Sequence, residues 1–284
     1  MMEHSYPARI EIELASTCNL NCVYCPRRYL DKLNGFLPMS IFKKIIDESS
    51  GYPQTIIVLH RRGESLLNPE FDIMLQYIRG KFKEIQIATN ATILTEEKSY
   101  LLIESVHFVS FSIDCPRLFN SIRINGDYER VESNILRFLE MNKNRVRTQV
   151  SMVHTDKHRL EDITEFKRIW DGKVDRIRIY EQHSSNGKFG SLQRLRGQRK
   201  KCVMPFYELL VYCDGHIGRC NHDWENSLKI NIQDKSIKEI WSGEFYEDLR
   251  KQHTELRIHD SVCSNCDSWY SEIANQGTGE VIEK

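Results

Sequence analysis

Three cysteines lie within eight residues near the start of the chain, in the segment ELASTCNLNCVYCPR. Cys18, Cys22 and Cys25 are separated by three residues and then by two. Thiolates at this spacing can converge on one [4Fe–4S] cube, but one iron of the cube then has no protein ligand. An open coordination position is typical of a reactive metal site, whereas structural sites are closed. The segment therefore predicts a cluster at which a second molecule binds.

The alternative for this segment is a structural zinc site or a chance cluster of cysteines. Structural zinc takes four nitrogen or sulfur ligands. No histidine lies between Cys18 and His60 to supply the fourth ligand. An iron–sulfur cluster is therefore the favoured interpretation.

A second group of cysteines, Cys202, Cys220, Cys263 and Cys266, lies near the other end of the chain. Two separated pairs of cysteines commonly form one four-thiolate site, either for zinc or for an iron–sulfur cluster. The spacing alone does not distinguish between these metals. A cluster with four protein ligands would transfer an electron rather than bind a substrate.

Two cysteines fall outside these sets. Cys115 ends a predicted strand, and Cys213 precedes the pair Asp214-Gly215. Each is interpreted either as a small buried hydrophobic residue or as a hydrogen-atom donor.

Six short runs that contain β-branched residues alternate with amphipathic stretches between residue 8 and about residue 180, a pattern that predicts strand–helix units around a parallel sheet. The runs are RIEIELA, TIIVLH, EIQIAT, HFVSFSID, RTQVSMV and DRIRIYE. Six units predict an open or partial barrel, because about eight are needed to close one. Functional groups collect at the carboxyl ends of such strands. We therefore expect the cysteine loop, RRGES, TNAT, SIDC and EQHSSNGK to surround one mouth.

The composition excludes several classes of protein. Lysine plus arginine equals aspartate plus glutamate at 40 each, so no overall charge favours nucleic acid. The apolar runs are shorter than the roughly 20 residues of a membrane span, and the amino terminus lacks a signal pattern. The nine cysteines are odd in number and bunched, which favours metal binding over disulfides. We expect a cytoplasmic protein without a membrane or nucleic-acid partner.

These segments together resemble the radical S-adenosylmethionine (radical SAM) family. The signature loop of that family has the same three cysteines, with an aromatic residue, here Tyr24, before the last one. Gly63-Glu64 resembles the Gly-Gly-Glu segment of the family, with Arg62 in place of the first glycine and Ser65 where many relatives have proline.

Two further segments extend the resemblance. The run ATNATILTEE resembles a Thr-Asn-Gly strand end with Ala91 in place of glycine, and VSFSIDC resembles the strand that meets the SAM ribose. The resemblance implies a [4Fe–4S] cluster that chelates SAM and cleaves it to a 5′-deoxyadenosyl radical, which removes a hydrogen atom from a substrate. The SAM-contacting residues that it implies are Tyr24, Gly63, Glu64, Asn90, Ser112 and Asp114.

The C-terminal cysteines resemble the SPASM/twitch group of this family, which holds auxiliary clusters. The chain ends without the further cysteines of a full SPASM region, so we expect one auxiliary [4Fe–4S] cluster, held by Cys202, Cys220, Cys263 and Cys266. The predicted domains are a partial (β/α)6 TIM-like barrel at 7–190, a linker at 191–201 and a small α/β twitch domain at 202–272.

The length and the one-cluster layout resemble the aminocyclitol dehydrogenases of the group. We therefore expect oxidation of an alcohol in a small polyol, sugar or aminocyclitol, with the auxiliary cluster as electron acceptor. An external one-electron reductant, such as flavodoxin or ferredoxin, would supply the first electron. Lys188 is the preferred candidate for a basic residue at the substrate, ahead of Glu181, His183, Ser184 and Asn186, all of which are also common in solvated loops.

Three alternatives stay open from the sequence. An epimerase would return a hydrogen atom to the substrate from Cys213 or Cys115. A peptide-modifying enzyme would carry an N-terminal recognition domain, for which the few residues before the first strand leave no room. A non-catalytic electron carrier or a zinc-stabilised binding module would have four cysteines at each metal and no SAM pocket.

Overall fold

The computed structural model describes residues 5–30, 35–182, 199–225, 227–266 and 279–283. The strands are β1 (Arg9–Ile12), β2 (Asn21–Cys22), β3 (Ile56–Val58), β4 (Ile85–Thr89), β5 (Phe108–Ser112), β6 (Arg123–Ile124), β7 (Arg147–His154), β8 (Arg176–Glu181), β9 (Glu208–Val211), β10 (Ile217–Gly218) and β11 (Gly279–Glu283). The helices are α1 (Met39–Ser49), α2 (Phe71–Ile78), α3 (Glu96–Ser105), α4 (Pro116–Ile122), α5 (Tyr128–Asn142), α6 (Leu160–Trp170), α7 (Ile237–Trp241), α8 (Glu244–Glu255) and α9 (Ser261–Asn265).

The six predicted strands are β1, β3, β4, β5, β7 and β8, and each pairs in parallel with the next. Among the described residues, nine strands form one sheet in the order β10-β9-β1-β3-β4-β5-β7-β8-β11. Parallel neighbours in chain order need right-handed crossovers, which carry the connecting helices to the same face of the sheet. The predicted α/β class, with a parallel sheet at its centre, is confirmed.

The two faces of this sheet carry different residues. Alternate positions such as Ile10, Ile12, Ile85 and Ile87 are fully buried and pack with the helices in one hydrophobic core. The positions between them form the opposite face, which we call the inner face. Its residues are Glu11, Glu13, Val58, His60, Gln86, Ala88, Ser110, Ser112, Gln149, Ser151, Arg176 and Arg178.

Local sequence explains where several helices begin. The hydroxyl of Thr95 accepts a hydrogen bond from the Lys98 amide at the start of α3, and the Asp127 carboxylate accepts one from the Arg130 amide at the start of α5. These side chains satisfy amides that have no partner within the helix. The predicted packing face of α2 is buried as expected; its members are Phe71, Met74, Leu75 and Ile78.

The cysteine-rich C-terminal region begins with a hairpin that continues the central sheet. Strand β9 pairs in parallel with β1, and β10 pairs antiparallel with β9. At the other edge, β11 pairs antiparallel with β8. The predicted domain boundaries stay a prediction, since residues 183–198 lie outside the described residues. No helix in the described part of the chain is both long enough and apolar enough to cross a membrane.

Candidate active site

The three-cysteine loop follows the carboxyl end of β1, where the parallel fold places functional groups. Cys22 lies in β2, and Cys25 precedes a short 3-10 turn that begins at Pro26. Burial raises the pKa of the Cys18 thiol to about 11 and also raises the pKa of Cys22 and Cys25. For each thiol, the charge of one of the other two also raises the pKa. The three partly buried thiols therefore lie close enough to affect one another, as a shared metal group requires.

A second short strand fixes this loop. Strand β6 pairs antiparallel with β2, which sets Cys22 opposite Arg123. The Val23 amide also donates to the carbonyl of Ile122 at 2.9 Å, and Arg27 Nε donates to the carbonyl of Ser16 at 2.9 Å. The loop thus has main-chain partners on both sides, which hold its thiols in position.

Gly63 lies directly against the cysteine loop. A Cβ at this position would lie 2.3 Å from the carbonyl oxygens of Ala15 and Thr17. The amide of the next residue, Glu64, donates to the Thr17 oxygen at 2.8 Å. Only glycine permits this approach of the two main chains. The turn that resembles the Gly-Gly-Glu segment is therefore built against the loop that would hold the cluster.

The Glu64 carboxylate is buried and held by protein donors. It accepts hydrogen bonds from the Asn90 amide at 2.7 Å, from Thr89 Oγ1 at 2.8 Å and from the Leu66 amide at 3.2 Å. Burial raises the pKa of Glu64, and these donors oppose that rise. A carboxylate fixed in this way can receive a cationic amine without rearranging.

Asn90 connects the end of β4 to the cysteine loop. Its Nδ2 donates to Asn19 Oδ1 at 3.0 Å and lies 3.7 Å from Cys18 Sγ. The following residue, Ala91, has a φ of 57°, in the left-handed region that favours glycine. The backbone shape expected for Thr-Asn-Gly is thus kept with alanine in the third position.

Asp114 anchors the loop from the end of β5. Its carboxylate is fully buried and accepts hydrogen bonds from Arg123 Nε at 2.5 Å and from the Tyr24 hydroxyl at 3.3 Å. Ser112, by contrast, is partly exposed on the inner face. Of the two residues proposed to meet the ribose, Ser112 is therefore the more accessible, and Asp114 positions the loop.

His60 faces the same interior from the end of β3. Its Nδ1 accepts a hydrogen bond from the Ala88 amide at 3.0 Å, so Nε2 carries the ring proton. Burial, followed by the nearby guanidinium groups of Arg9 and Arg61, lowers the pKa of His60 to about 3. His60 is partly exposed despite its depth, because the inner face borders accessible space. The ring is thus a neutral donor at neutral pH.

We expect replacement of His60 by asparagine to flatten the pH dependence of stability. The folded pKa of about 3 lies below the ordinary value of 6.5, so the unfolded chain binds the proton first. The stabilisation from the neutral ring is complete above pH 6.5 and is lost as the pH falls toward 3. In urea unfolding below about pH 6, the wild type should lose up to about 1.4 kcal/mol per pH unit more than the variant.

Asparagine keeps an acceptor for the Ala88 amide, so the change tests the proton and not the fold. His259→Asn, at an exposed position, is the matched control and should follow the wild type. Equal slopes for wild type and His60→Asn would contradict the assignment.

The four C-terminal thiols come together at the other end of the inner face. Cys202 precedes β9, and the antiparallel course of β10 returns Cys220 to the same end. Burial raises the pKa of Cys220 well above its ordinary value, and the next causes are the thiols of Cys266, Cys202 and Cys263. In the described residues, no three His, Cys, Asp or Glu side chains are arranged to hold a single metal ion. The fit to a four-thiolate cluster rests on two observations: the four donors are all thiols, and the other three thiols raise the pKa of Cys220.

The remaining candidates take other places. Cys115 is fully buried, and Cys213 is 8% exposed; both belong to the hydrophobic core. Burial raises the pKa of each thiol to about 11. Lys188 lies outside the described residues, as do His183, Ser184 and Asn186.

Sequence reasoning missed Arg123, and it named Arg62 only as a departure from glycine. Arg123 is almost fully buried beside Cys22. The sequence gives little indication that Arg123 is buried, because the segment RINGD has no local pattern that predicts burial of a basic residue. Only the pairing of β2 with β6, distant in sequence, places it at the loop.

Comparison with known proteins agrees with this arrangement. Residues 12–169 match the model of the Radical SAM superfamily, and the chain belongs to that superfamily. Residues 202–267 match the SPASM iron-sulfur cluster-binding domain. The protein is therefore a radical SAM enzyme with a SPASM region, and the two domains imply SAM and iron–sulfur clusters as cofactors.

Similarity to individual proteins varies in extent. The chain is 22% identical over 273 residues to the S-adenosyl-L-methionine-dependent 2-deoxy-scyllo-inosamine dehydrogenase of Niallia circulans, covering 91% of this chain and 92% of that protein. It is 31% identical over 105 residues to the tungsten-containing aldehyde ferredoxin oxidoreductase cofactor-modifying protein of Pyrococcus furiosus. That match covers 36% of this chain and 30% of that protein, so the chain spans less than a third of this relative's length.

A solved structure extends the similarity to the fold. The structure of BtrN in complex with AdoMet and 2-DOIA superposes with a TM-score of 0.62 and 20% identity. The match covers 94% of this chain and 96% of that one. At this identity the likeness shows the shared fold.

Proposed function

We propose that the protein oxidises an alcohol of a small polyol, sugar or aminocyclitol, with an auxiliary [4Fe–4S] cluster as the acceptor of one electron. The observation that carries the proposal is the set of polar side chains on the inner face of the sheet, which carries the cysteine loop at the carboxyl end of β1. The near full-length similarity to an aminocyclitol dehydrogenase supports the same substrate class.

The inner face has the hydrogen-bonding character that a polyol needs. Gln149 Nε2 donates to Ser110 Oγ at 2.7 Å, and Arg176 Nε donates to Gln149 Oε1. Gln86 and Ser112 are partly exposed on the same face, and the Nε2 proton of His60 adds a donor. These partly exposed groups offer donors and acceptors to hydroxyl groups, whereas Gln149 and Ser110 are buried and already paired with each other.

The cofactor-binding residues are proposed on the same basis. Cys18, Cys22 and Cys25 would hold the SAM-binding cluster, with Glu64 at the methionine amine and Ser112 near the ribose. Tyr24, Gly63 and Asn90 shape the loop and the turn around them. Bound SAM, with its cluster reduced by an external donor such as flavodoxin or ferredoxin, would supply the group that removes a hydrogen atom from a carbinol carbon.

The oxidation must also remove a proton and one more electron. The hydroxyl proton would pass to a base, for which Lys188 remains the proposed residue. The electron would pass to the cluster of Cys202, Cys220, Cys263 and Cys266, whose full set of protein ligands leaves no position for substrate. One hydrogen atom, one proton and one electron account for the conversion of an alcohol to a ketone.

The nature of the product tests this proposal. Anaerobically reconstituted protein would be given SAM, dithionite and a panel of polyols and aminocyclitols, and the products analysed by mass spectrometry. We expect a ketone that has lost two hydrogens, and none from the Cys18→Ala variant. An epimer of unchanged composition, with deuterium gained from deuterated water, would contradict oxidation and favour a donor such as Cys213 or Cys115.

A further inference from the structure

Two arginines link the SAM-binding turn to the C-terminal thiol site. Arg62 lies next to Gly63 and forms a two-point contact with Glu13, Nε to Oε1 at 2.6 Å and Nη2 to Oε2 at 2.8 Å. Its Nη1 donates to the carbonyl of Trp224 at 3.0 Å, and its guanidinium lies 4.1 Å from the ring centre of Tyr212. Where the family pattern has a glycine, this chain thus has a cation that holds the C-terminal region.

Arg61 reaches the same C-terminal segment beside it. Its Nη2 donates to the carbonyl of Asp223 at 2.8 Å, and its guanidinium lies 4.7 Å from the ring centre of Trp224. Its Nε meets Glu11 Oε1 at 3.5 Å, a long contact for an ion pair. The side chain is 4% exposed, so its charge is poorly screened by solvent.

The segment that Arg61 contacts belongs to the surroundings of the thiols. The Asp223 amide donates to the carbonyl of Cys220 at 3.0 Å, and the His222 amide lies 3.4 Å from Cys220 Sγ. The Asp223 carboxylate accepts from Arg219, which also donates to Asp260 at 2.6 Å. Asp260 in turn caps α9 by accepting from the Cys263 amide. Contacts therefore run from Arg61 to two of the four thiol residues.

Arg61 lies close to one of these thiols, that of Cys220. Burial works to lower the pKa of Arg61, but Glu11, Tyr212, Glu13 and the Cys220 thiol together raise it. Two other arginines nearby have shorter ion pairs: Arg9 meets Glu208 at 2.9 Å, and Arg219 meets two carboxylates. Arg61 is therefore less closely compensated than Arg9 or Arg219.

We propose that Arg61 sets the reduction potential of the auxiliary cluster by placing a buried positive charge beside Cys220. The inference rests on the proposed function in one respect, that the four thiols hold an iron–sulfur cluster. Reduction adds one negative charge to a cluster, and a buried cation stabilises that charge. Arg61 thus makes the cluster a better acceptor for the electron from the substrate.

A redox titration tests this assignment without turnover. In full-length protein with Cys18, Cys22 and Cys25 replaced by alanine, reconstitution leaves one cluster, whose reduction is followed by electron paramagnetic resonance. We expect Arg61→Gln to lower the ratio of reduced to oxidised cluster about tenfold at a fixed potential, which is 59 mV for one electron. Arg61→Lys keeps the charge and should stay near the parent protein.

Two further variants separate charge from structure. Glu11→Gln removes the anion that faces Arg61, so it should shift the potential upward, opposite to Arg61→Gln. A loosened structure would move both variants in one direction, which would overturn the proposal. Arg130→Gln, at an exposed position, is the matched control and should cause no shift.

The remaining outcomes are also decisive. An unchanged potential in Arg61→Gln with full iron content overturns the role of Arg61 and leaves the proposed function standing. Reconstituted protein without iron at the four thiols overturns the auxiliary cluster, and the role of Arg61 with it. If Arg61→Gln does not fold, the upward shift in Glu11→Gln supports the proposal, and its absence overturns it.

Discussion

Replacement of Gly63 by alanine is expected to lower the rate of SAM cleavage about 100-fold. The added Cβ would lie 2.3 Å from the carbonyl oxygens of Ala15 and Thr17, and main-chain atoms cannot rotate away as a side chain can. The turn must therefore separate from the cysteine loop, which displaces Glu64 relative to the cluster. The measurement is the rate of 5′-deoxyadenosine formation by chromatography, with iron content determined on the same sample.

Gly51→Ala is the matched control for this change. An added Cβ at Gly51 meets no atom within 4 Å, so the variant should cleave SAM at the wild-type rate. A wild-type rate in Gly63→Ala would mean that the turn does not need its close approach to the loop, and the site as described would be wrong.

Replacement of Arg62 by methionine is expected to cost about 3–5 kcal/mol of unfolding free energy. Glu13 is fully buried, and without Arg62 its carboxylate keeps the Cys213 amide as a donor but no compensating cation from that residue. The carbonyl of Trp224 loses a donor as well. Urea unfolding at neutral pH, compared with the wild type, measures the loss.

Two variants test the reason for this loss. Adding Glu13→Gln to Arg62→Met removes the uncompensated charge and should recover more than half of the lost stability. Arg79→Met breaks an exposed ion pair with Glu104 and should cost less than about 1 kcal/mol. A loss of stability in Arg62→Met as small as that in Arg79→Met would contradict a stabilising role for the buried ion pair of Arg62 and Glu13.

Local patterns were sufficient to predict much of the fold. The six parallel strands follow from alternation of short β-branched runs with amphipathic helices, because those periods depend only on neighbouring residues. The position of the cysteine loop followed from the rule that functional groups gather at the carboxyl ends of parallel strands. For the same reason the segments after β3, β4 and β5 meet the loop as expected.

Long-range pairing could not be predicted in the same way. Strand β9 was not among the predicted strands, and its parallel pairing with β1 depends on contacts almost 200 residues apart. The role of Arg62 could not be predicted either. In the sequence it replaces a glycine of the family pattern, whereas in the structure it connects Glu13 to the C-terminal region. Glu13 follows β1 and continues its alternation of charged and apolar residues, a pattern that does not reveal that the charged face is covered as well.

The distribution of site residues shows a similar limit. From the sequence, Ser112 and Asp114 are equally good candidates for contact with the SAM ribose. In the structure, Asp114 is buried against Arg123 and Tyr24, whereas Ser112 is partly exposed. Burial of a charged side chain depends on the partners that are available to it. The partner of Asp114 is Arg123, which lies in β6, and no local sequence pattern predicts the pairing of β6 with β2.

Isotope transfer identifies the carbon from which the enzyme removes hydrogen. Polyols and aminocyclitols deuterated at a carbinol carbon would be incubated with reconstituted protein, SAM and dithionite. We expect deuterium in the 5′-deoxyadenosine that is formed, together with the ketone at the labelled carbon. A ketone formed with unlabelled 5′-deoxyadenosine would contradict this expectation, because the hydrogen would then have left that carbon by another route.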